Sequence, residues 1–437
     1  MGALLVIAVL FGGGGARYGL ANLVVQLAAL GALALNPRSF AQFWSRAPWP
    51  VRVLVILTIA LPLLQSIPLP PSVWANLPGR EMLTLSLEAV GRDAWLTMSV
   101  DPRRTLLAAS ALITPLAVLC VGWSLSHKRL LDLGWLFVAI GLALFALGSI
   151  QVVSQGAIGV VFQEREPGSL LLATFANRNS TGVFLVGVLA FALVLPSPRP
   201  HPMLLPARLS VAAVLILGII LTQSRTALVL TIIPCLLGAI RLFLWNRNNR
   251  AREQGKASLS RQSLFTVGGV VIVGALIAGA LVMSPGRVGQ TLDRFDSLED
   301  GREFIWEDAT YSIARFWPLG AGMGTFDDVF QIDESLENLT KRRAGRAHND
   351  YLEVAIEAGA PGLALVAGWA LLLLWLSWRA RHSRFRTVAW AGAAFLLAIM
   401  GQCVTDYPLR NQTILAAAGF ALLVLIRFGE PDEERSR

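Results

Sequence analysis

Long runs of apolar residues separated by short polar segments recur along the chain. Most runs have about 17–25 residues, the length that an α-helix needs to cross a hydrocarbon layer of roughly 30 Å. Lipid offers no partner to backbone polar groups, so such runs must be helical. We place about twelve spans, at residues 3–15, 18–35, 50–67, 105–125, 131–152, 173–195, 208–223, 226–245, 264–283, 362–378, 387–405 and 411–428. The pattern predicts an all-α polytopic membrane protein, with residues 1–437 forming a single integral membrane domain.

Basic residues mark every second loop between the predicted spans. The loop at residues 241–261 is the clearest case, with Arg241, Arg247, Arg250, Arg252, Lys256 and Arg261. Basic loops stay in the cytoplasm, so this alternation predicts that both termini are cytoplasmic. The net charge of +9 follows mostly from this topology. No basic stripe with interleaved aromatic residues is present in the sequence, which argues against a nucleic-acid partner.

Three predicted outer segments are long enough to carry a function: residues 68–104, 153–172 and 284–350, the last between the ninth and tenth spans. Within the last segment, Ile305, Ala309, Ile313 and Phe316 recur at helical spacing. This spacing predicts an amphipathic helix on the outer membrane interface. The glycines and proline of residues 318–324 predict irregular backbone after it.

His348 is the only one of the four histidines that the topology places on the outer side. Asn349 or Asp350 can cap a short helix at residues 351–358, and residues 359–362 should break that helix before the next span. A side chain that exchanges a proton near neutral pH could act as a general base there. A satisfied interfacial histidine is the alternative. No second outward histidine or cysteine supports a metal site, so we expect neither metal nor cofactor.

Two arginines are candidate anion ligands. Arg225 is the only charge between Leu209 and Ile240, at the tip of a predicted outer hairpin. A charge at that depth needs a partner or a wet cavity, and a guanidinium can bind phosphate in a bidentate manner. A snorkelling side chain is the alternative. Arg302, at the start of the amphipathic helix, is a second candidate clamp, or a solvated loop charge.

Four further residues are candidate substrate ligands. Arg346 follows Arg342 and Arg343 in a basic run that favours an anionic ligand, or that is simply solvated. Arg178 and Asn179 open the sixth span, where a helix N-terminus suits an anion or sugar hydroxyls, although plain capping explains them equally well. Asp406 is the acid of the last outer turn. It could orient an arginine or the histidine, or pair with Arg410.

The order and spacing of several short motifs resemble the O-antigen ligase family, which shares its core with polysaccharide polymerases. The resemblance runs over nearly the whole chain in span count and loop order. The motifs are Gln223-Ser224-Arg225-Thr226, Gly301-Arg302-x-x-x-Trp306, Pro318-Leu319-Gly320-x-Gly322-x-Gly324, His348-Asn349-Asp350-Tyr351-Leu352 and Glu357-x-Gly359-x-x-Gly362, together with Pro68-Leu69-Pro70-Pro71 and Asp101-Pro102-x-x-Thr105.

This resemblance implies a metal-independent glycosyltransferase of the GT-C type in the bacterial inner membrane, with its active site facing the periplasm. The donor would be a glycan on undecaprenyl pyrophosphate, and the acceptor would be lipid A–core oligosaccharide. By position, His348 matches the family histidine that activates the acceptor hydroxyl. Arg225 and Arg302 match arginines that hold the donor pyrophosphate, and Asp406 matches an acidic residue near the penultimate turn.

Three other functions stay open from the sequence. A polymerase of the same fold would use the same donor and a second lipid-linked glycan as acceptor. A protein O-oligosaccharyltransferase would use a protein acceptor. A transporter of lipid-linked glycans belongs to a different class and would place charges in the middle of broken spans. The candidate residues here cluster near one interface, which favours a transferase.

Overall fold

The computed structural model of the chain describes residues 1–162, 170–197, 204–252, 302–338 and 343–430, without the side chains of residues 245–252. This part of the chain is mostly helical, with one antiparallel pair of strands, β1 (Pro68–Leu69) and β2 (Leu96–Thr97). The helices, numbered in chain order, are α1 Gly2–Phe11, α2 Gly19–Ala34, α3 Pro37–Arg46, α4 Trp49–Gln65, α5 Pro71–Trp74, α6 Glu81–Ala89, α7 Pro102–Ala111, α8 Ile113–Trp123, α9 His127–Val153, α10 Arg178–Val194, α11 Leu204–Leu221, α12 Arg225–Leu230, α13 Ile232–Arg252, α14 Arg302–Phe316, α15 Phe326–Asp333, α16 Asp350–Arg379, α17 Arg386–Gln402 and α18 Gln412–Phe428.

Five helical segments of the described chain are long and apolar enough to cross a membrane. They are Pro102–Trp123, His127–Val153, Leu204–Leu221, Arg225–Leu244 and Asp350–His382, and the bent pair α2 and α3 would make six. Shorter apolar segments cover Gly2–Gly14, Trp49–Gln65, Arg178–Val194 and Gln412–Phe428. The chain is therefore a multi-pass membrane protein, as its sequence predicts.

The full set of twelve spans and the GT-C arrangement remain predictions. The span predicted at 264–283 lies outside the described residues. So do Gly301 and Arg342, the side chains of the basic loop from residue 245 to 261, and the first part of the outer segment predicted at 284–350.

Helices α2 and α3 meet at an angle of 82°. Pro37 begins α3 and disfavours helical backbone at Asn36, which has φ −129° and ψ 52°. Helix α3 occupies part of a segment that the charge pattern predicts to be a simple inner loop. It forms because Phe40, Phe43 and Ala47 recur at helical spacing, and it buries Phe43 against Trp123 of α8, with ring centroids 5.4 Å apart.

The main core surrounds α10, which buries 15 of its 17 residues. Phenylalanines from four helices meet beside it: Phe137 of α9, Phe184 and Phe191 of α10, Phe395 of α17 and Phe420 of α18. Small residues allow the backbones to approach closely, as is usual between helices in a membrane. A Cβ on Gly187 would lie 2.4 Å from the Phe395 ring. Helix α10 is therefore a rigid centre of the bundle.

A second, smaller core lies in the outer segment. The apolar residues that predicted the amphipathic helix do lie on one face of α14, with Ala309 and Phe316 buried. That face packs against Phe326 and Phe330 of α15 and against Ile356 of α16. The expectation that this face rests on the membrane interface is therefore wrong, because protein covers it. Residue spacing identifies an apolar face but not the surface that covers it.

Irregular backbone joins α14 to α15, as the sequence predicts. Gly320, Gly322 and Gly324 have φ values of 85°, 115° and 84°, which glycine adopts without strain. A Cβ on Gly322 would lie 2.2 Å from Ser99 Oγ. The Val100 amide donates to the carbonyl oxygen of Ala321 at 2.8 Å, so this turn also fixes the end of the 68–104 segment.

The break predicted at residues 359–362 is present as a kink within α16. Gly359 has φ 53° and ψ −143°, and helical geometry resumes after it. The Ala360 amide donates to the carbonyl oxygen of Pro318 at 2.9 Å, and a Cβ on Gly359 would lie 2.1 Å from that oxygen. The first two turns of α16 are thereby tied to the outer segment.

Candidate active site

His348 lies between an irregular segment, residues 343–347, and α16. Its backbone is left-handed, with φ 52°, a region that histidine visits more readily than most residues. Asn349 caps α16, as predicted, because its Oδ1 accepts hydrogen bonds from the amides of Tyr351 and Leu352. The His348 side chain is 30% exposed, so a base at this position can be reached from outside the core.

The imidazole of His348 is paired with a buried carboxylate. Nδ1 lies 3.2 Å from Oδ1 of Asp406, whose side chain is fully buried. When Nδ1 carries the proton and donates it to Asp406, Nε2 is left as an acceptor. The Tyr407 ring lies 5.1 Å from the imidazole, centroid to centroid, and limits its rotation. The pair has the arrangement of an oriented general base.

Asp406 was predicted to bind substrate, to orient a neighbour or to pair with Arg410. Its Oδ1 meets His348, and its Oδ2 accepts a hydrogen bond from Asn177 Nδ2 at 2.8 Å. Since both oxygens contact protein groups and the side chain is buried, the geometry favours the orienting role over direct substrate binding. Arg410 makes its ion pairs with other carboxylates.

The turn that holds Asp406 also contacts the elements of both candidate clamps. Arg302 Nη1 donates to the carbonyl oxygen of Thr405 at 2.8 Å. The hydroxyls of Thr226 and Thr405 are 2.7 Å apart, and Thr226 follows Arg225, the half-buried first residue of α12. Residues far apart in sequence are thus gathered around Thr405, next to the histidine–aspartate pair.

Arg346 is engaged by a buried acid. Its Nη1 lies 3.1 Å from Glu353 Oε2, and its guanidinium lies 5.8 Å from the centroid of the Tyr407 ring. Glu353 also accepts from the backbone amide of Ala347 at 3.0 Å. Arg346 and Glu353 therefore hold the segment that precedes His348, a role that the basic run in the sequence did not indicate.

A buried charge cluster lies beneath the site, and the sequence reasoning did not predict it. Arg410 contacts Asp350, Glu353 and Glu357 at 3.3, 3.2 and 2.8 Å. Burial lowers the pKa of Arg410, but Glu357, Glu353 and Asp350 outweigh that effect and raise it above the ordinary value. The spacing 350, 353 and 357 on one helix face was the available signal.

The start of α10 lies next to Asp406. Asn177 caps this helix, since its Oδ1 accepts from the Asn179 amide at 2.8 Å. The Asn179 side chain is nearly buried, and Arg178 is half-buried at the first helical position. Asn177, the residue before the predicted ligands Arg178 and Asn179, thus lies at the site. Its side-chain amide donates to the carboxylate of Asp406.

An apolar chamber of about 1100 Å³ lies among α2, α4, α7, α8 and α16 to α18. Its polar lining includes Arg104, Arg346, Asp350 and Arg410, and Arg346 and Asp350 are each two positions from His348 in the sequence. Arg225 and Arg302 are not among its described lining residues. The chamber can accommodate hydrocarbon within a few residues of the candidate base.

Part of the chain matches a model of a protein family. Residues 210–367 match the family described as O-antigen ligase. This match supports the O-antigen ligase family for this part of the chain. The family indicates a glycosyltransferase-like enzyme of the ligase or polymerase type. A search of curated proteins found no match.

The O-antigen ligase region contains Arg225, Arg302, Arg346 and His348. Asn177, Arg178, Asn179, Asp406 and Arg410 lie outside it. The contacts of Asn177 and Asp406 therefore join the matched region to helices before and after it.

Proposed function

We propose that the protein transfers a glycan from undecaprenyl pyrophosphate to a hydroxyl of lipid A–core oligosaccharide, on the periplasmic face of the bacterial inner membrane. The observation that carries the proposal is the His348–Asp406 pair, with Arg302 bonded to the residue beside it. A base next to fixed guanidinium groups suits transfer from a pyrophosphate-linked donor. The family match supports the reaction class.

In the proposed step, His348 Nε2 takes the proton of the acceptor hydroxyl. The hydroxyl oxygen forms a bond to the anomeric carbon, while the bond from that carbon to the phosphate oxygen breaks. Its electron pair leaves with undecaprenyl pyrophosphate. Direct displacement inverts the anomeric centre, by analogy with inverting hydrolysis. The histidine then returns its proton to solvent, so atoms and charges balance.

Arg225 and Arg302 would stabilise the charge that develops on the departing pyrophosphate. Guanidinium groups stay charged and present donors in a planar fork that matches phosphate oxygens. Fixed donors aimed at developing charge supply much of the transition-state stabilisation in such reactions. The proposed step therefore requires no metal ion. Arg346, Arg178 and Asn179 would line the approach to this site.

The chamber would hold the hydrocarbon of a lipid substrate. It is apolar over most of its wall, and Arg346 and Asp350, which lie within two residues of His348, contribute to its polar part. An amphiphile with its chains there would bring its polar head to the base. Burial of hydrocarbon favours such binding.

Electrophoresis of lipopolysaccharide from a strain that lacks the gene tests this proposal. Loss of all long bands, with accumulation of lipid-linked polymer, is the expected result. Core carrying a single repeat would instead identify a polymerase of the same fold, and an unchanged pattern with an unglycosylated protein would identify a protein O-oligosaccharyltransferase. Loss of the long bands with the lipid-linked glycan retained on the cytoplasmic side would identify a transporter.

A further inference from the structure

Asn177 connects two parts of the molecule through one side chain. Its Oδ1 accepts from the Asn179 amide at 2.8 Å and caps α10. Its Nδ2 donates to Asp406 Oδ2, also at 2.8 Å. An N-cap needs only the oxygen. The amide nitrogen is therefore available for a second task, and it contacts the carboxylate that holds His348.

Asp406 depends on such a donor. Its side chain is fully buried, and a buried carboxylate is costly unless its oxygens accept hydrogen bonds. Oδ1 faces His348 Nδ1 and Oδ2 faces Asn177 Nδ2. Two contacts on opposite oxygens fix the plane of the carboxylate. Without the amide, the group could rotate about its bond to Cβ and turn away from the imidazole.

The support for Asn177 is rigid. Asn177 immediately precedes α10, the helix in which 15 of 17 residues are buried. The Ala176 amide is also bonded, to the carbonyl oxygen of Gly13 at 3.1 Å. A closely packed protein interior transmits small displacements of one side chain to its neighbours. The position of the Asn177 amide is therefore set by the core of the bundle and not by a surface loop.

We propose that Asn177 is a positioning residue for the transfer reaction. Its amide orients Asp406, which in turn keeps the proton of His348 on Nδ1 and leaves Nε2 to accept the proton of the acceptor hydroxyl. Asn177 does not itself touch the substrate. The inference rests on the proposed role of His348 as the base. Partners of this kind typically change activity by about 10–100-fold when they are removed from a metal-ligand histidine, and we expect a similar range here.

The chain offers a matched control at Asn411. That residue caps α18 through its Oδ1, which accepts from the Ile414 amide at 3.2 Å. Its Nδ2 donates to the carbonyl oxygen of Gly13 at 2.8 Å. Asn411 thus has the same side chain, a capping role and a second donor contact, but it does not contact Asp406. Asn411→Ser and Asn177→Ser each remove one hydrogen bond that the amide nitrogen donates, and each keep an oxygen that can cap the helix.

The test measures kcat and KM for purified full-length protein in lipid vesicles, with a lipid-linked glycan as donor and lipid A–core as acceptor. We expect Asn177→Ser to lower kcat by about 10–100-fold with KM values within about 2-fold, while Asn411→Ser retains wild-type kcat. Serine preserves a capping oxygen at both positions. Equal kcat values for the two variants would overturn the proposal.

A double-variant comparison separates positioning from a structural role. If Asn177 acts through Asp406, then Asn177→Ser should add almost nothing to the loss caused by Asp406→Asn. Full additivity would contradict the proposal. Should Asn177→Ser melt well below Asn411→Ser, the kcat of Asn177→Gly decides instead, because glycine is tolerated at an N-cap and removes the amide donor. An active His348→Asn variant would refute the base itself, whereas an inactive one together with a normal Asn177→Ser would refute only the role of Asn177.

Discussion

Arg302 Nη1 donates to the carbonyl oxygen of Thr405, 2.8 Å away, one residue before the carboxylate that meets His348. The bond fixes the first turn of α14 against the turn between α17 and α18. The candidate anion ligand Arg302 and the candidate base His348 are thus both bonded to the same turn, at the neighbouring residues Thr405 and Asp406.

Arg302→Lys should lower kcat/KM for the lipid-linked donor by about 10²–10³. A single ammonium cannot contact the Thr405 carbonyl and a phosphate with the planar geometry of a guanidinium. Steady-state kinetics with varied donor measures the loss. Arg315→Lys is the control, because Arg315 lies on the same helix and pairs with Asp333. Arg225→Lys should resemble Arg302→Lys, and full activity of either variant would argue against its role as a clamp.

His348→Asn should lower kcat by about 10²–10⁴ while the protein still folds. Asparagine tolerates the left-handed backbone at this position but cannot take a proton from a hydroxyl. Turnover and the thermal unfolding midpoint, measured on one preparation, separate the two effects. His382→Asn, on an exposed side chain at the other end of α16, should change neither quantity. Normal turnover of His348→Asn would exclude the histidine as base.

Arg410→Met should destabilise the fold by about 3–5 kcal/mol, because three buried carboxylates lose their common cation. Arg384→Met, at an exposed position, should stay within about 0.5 kcal/mol of wild type. Thermal unfolding in detergent ranks the two variants. Similar midpoints would mean that the carboxylates find other partners or take up protons.

Val366→Trp should weaken the use of lipid substrates because it fills part of the chamber. Ala364→Trp introduces the same ring two residues away, at an exposed position of the same helix that does not line the chamber. We expect KM for one lipid substrate to rise at least about tenfold for Val366→Trp only, a cost of roughly 1.4 kcal/mol in binding. The substrate whose KM changes identifies the occupant. Equal kinetics for both variants would show that the chamber is not used.

Gly359→Ala should destabilise the protein by about 1–3 kcal/mol through backbone strain alone. The clash of the added Cβ should increase this loss. The residue has φ 53°, and the added Cβ would lie 2.1 Å from the carbonyl oxygen of Pro318. Gly31→Ala is the control, since nothing lies within 4 Å of a Cβ at that position of α2. That substitution should be neutral or stabilising by up to about 1 kcal/mol. Thermal unfolding compares the two variants, and equal midpoints would contradict the strain at Gly359.

Local features of the site were predictable from sequence. Asn349 is recognisable as a helix cap, the glycines of residues 318–324 indicate irregular backbone, and the topology singles out His348. These features depend on neighbours within a few positions along the chain. Apolar spacing also predicts α14 correctly, but it does not say whether lipid or protein covers the apolar face.

The partners across the site were not predictable in the same way. Asn177 and Asp406 are 229 positions apart, and Arg410 meets Glu357 across 53 positions. Hydrophobic period and charge give the order of helices along the chain, whereas these pairs depend on how the helices pack side by side. The sequence therefore suggested Arg178 and Asn179 as ligands and overlooked Asn177, the residue beside them.

The kink at Gly359 separates the end of α16 next to His348 from the membrane part of the helix. Residues 350–358 are bonded to the outer segment through Ala321 and Gly322, whose amides donate to the carbonyl oxygens of Ile356 and Glu357. Helices that cross bilayers tilt to match local hydrocarbon thickness. A rocking movement of residues 360–379 can be absorbed at the kink and need not reach His348. The contact between His348 and Asp406 can thus keep its geometry in membranes of different thickness.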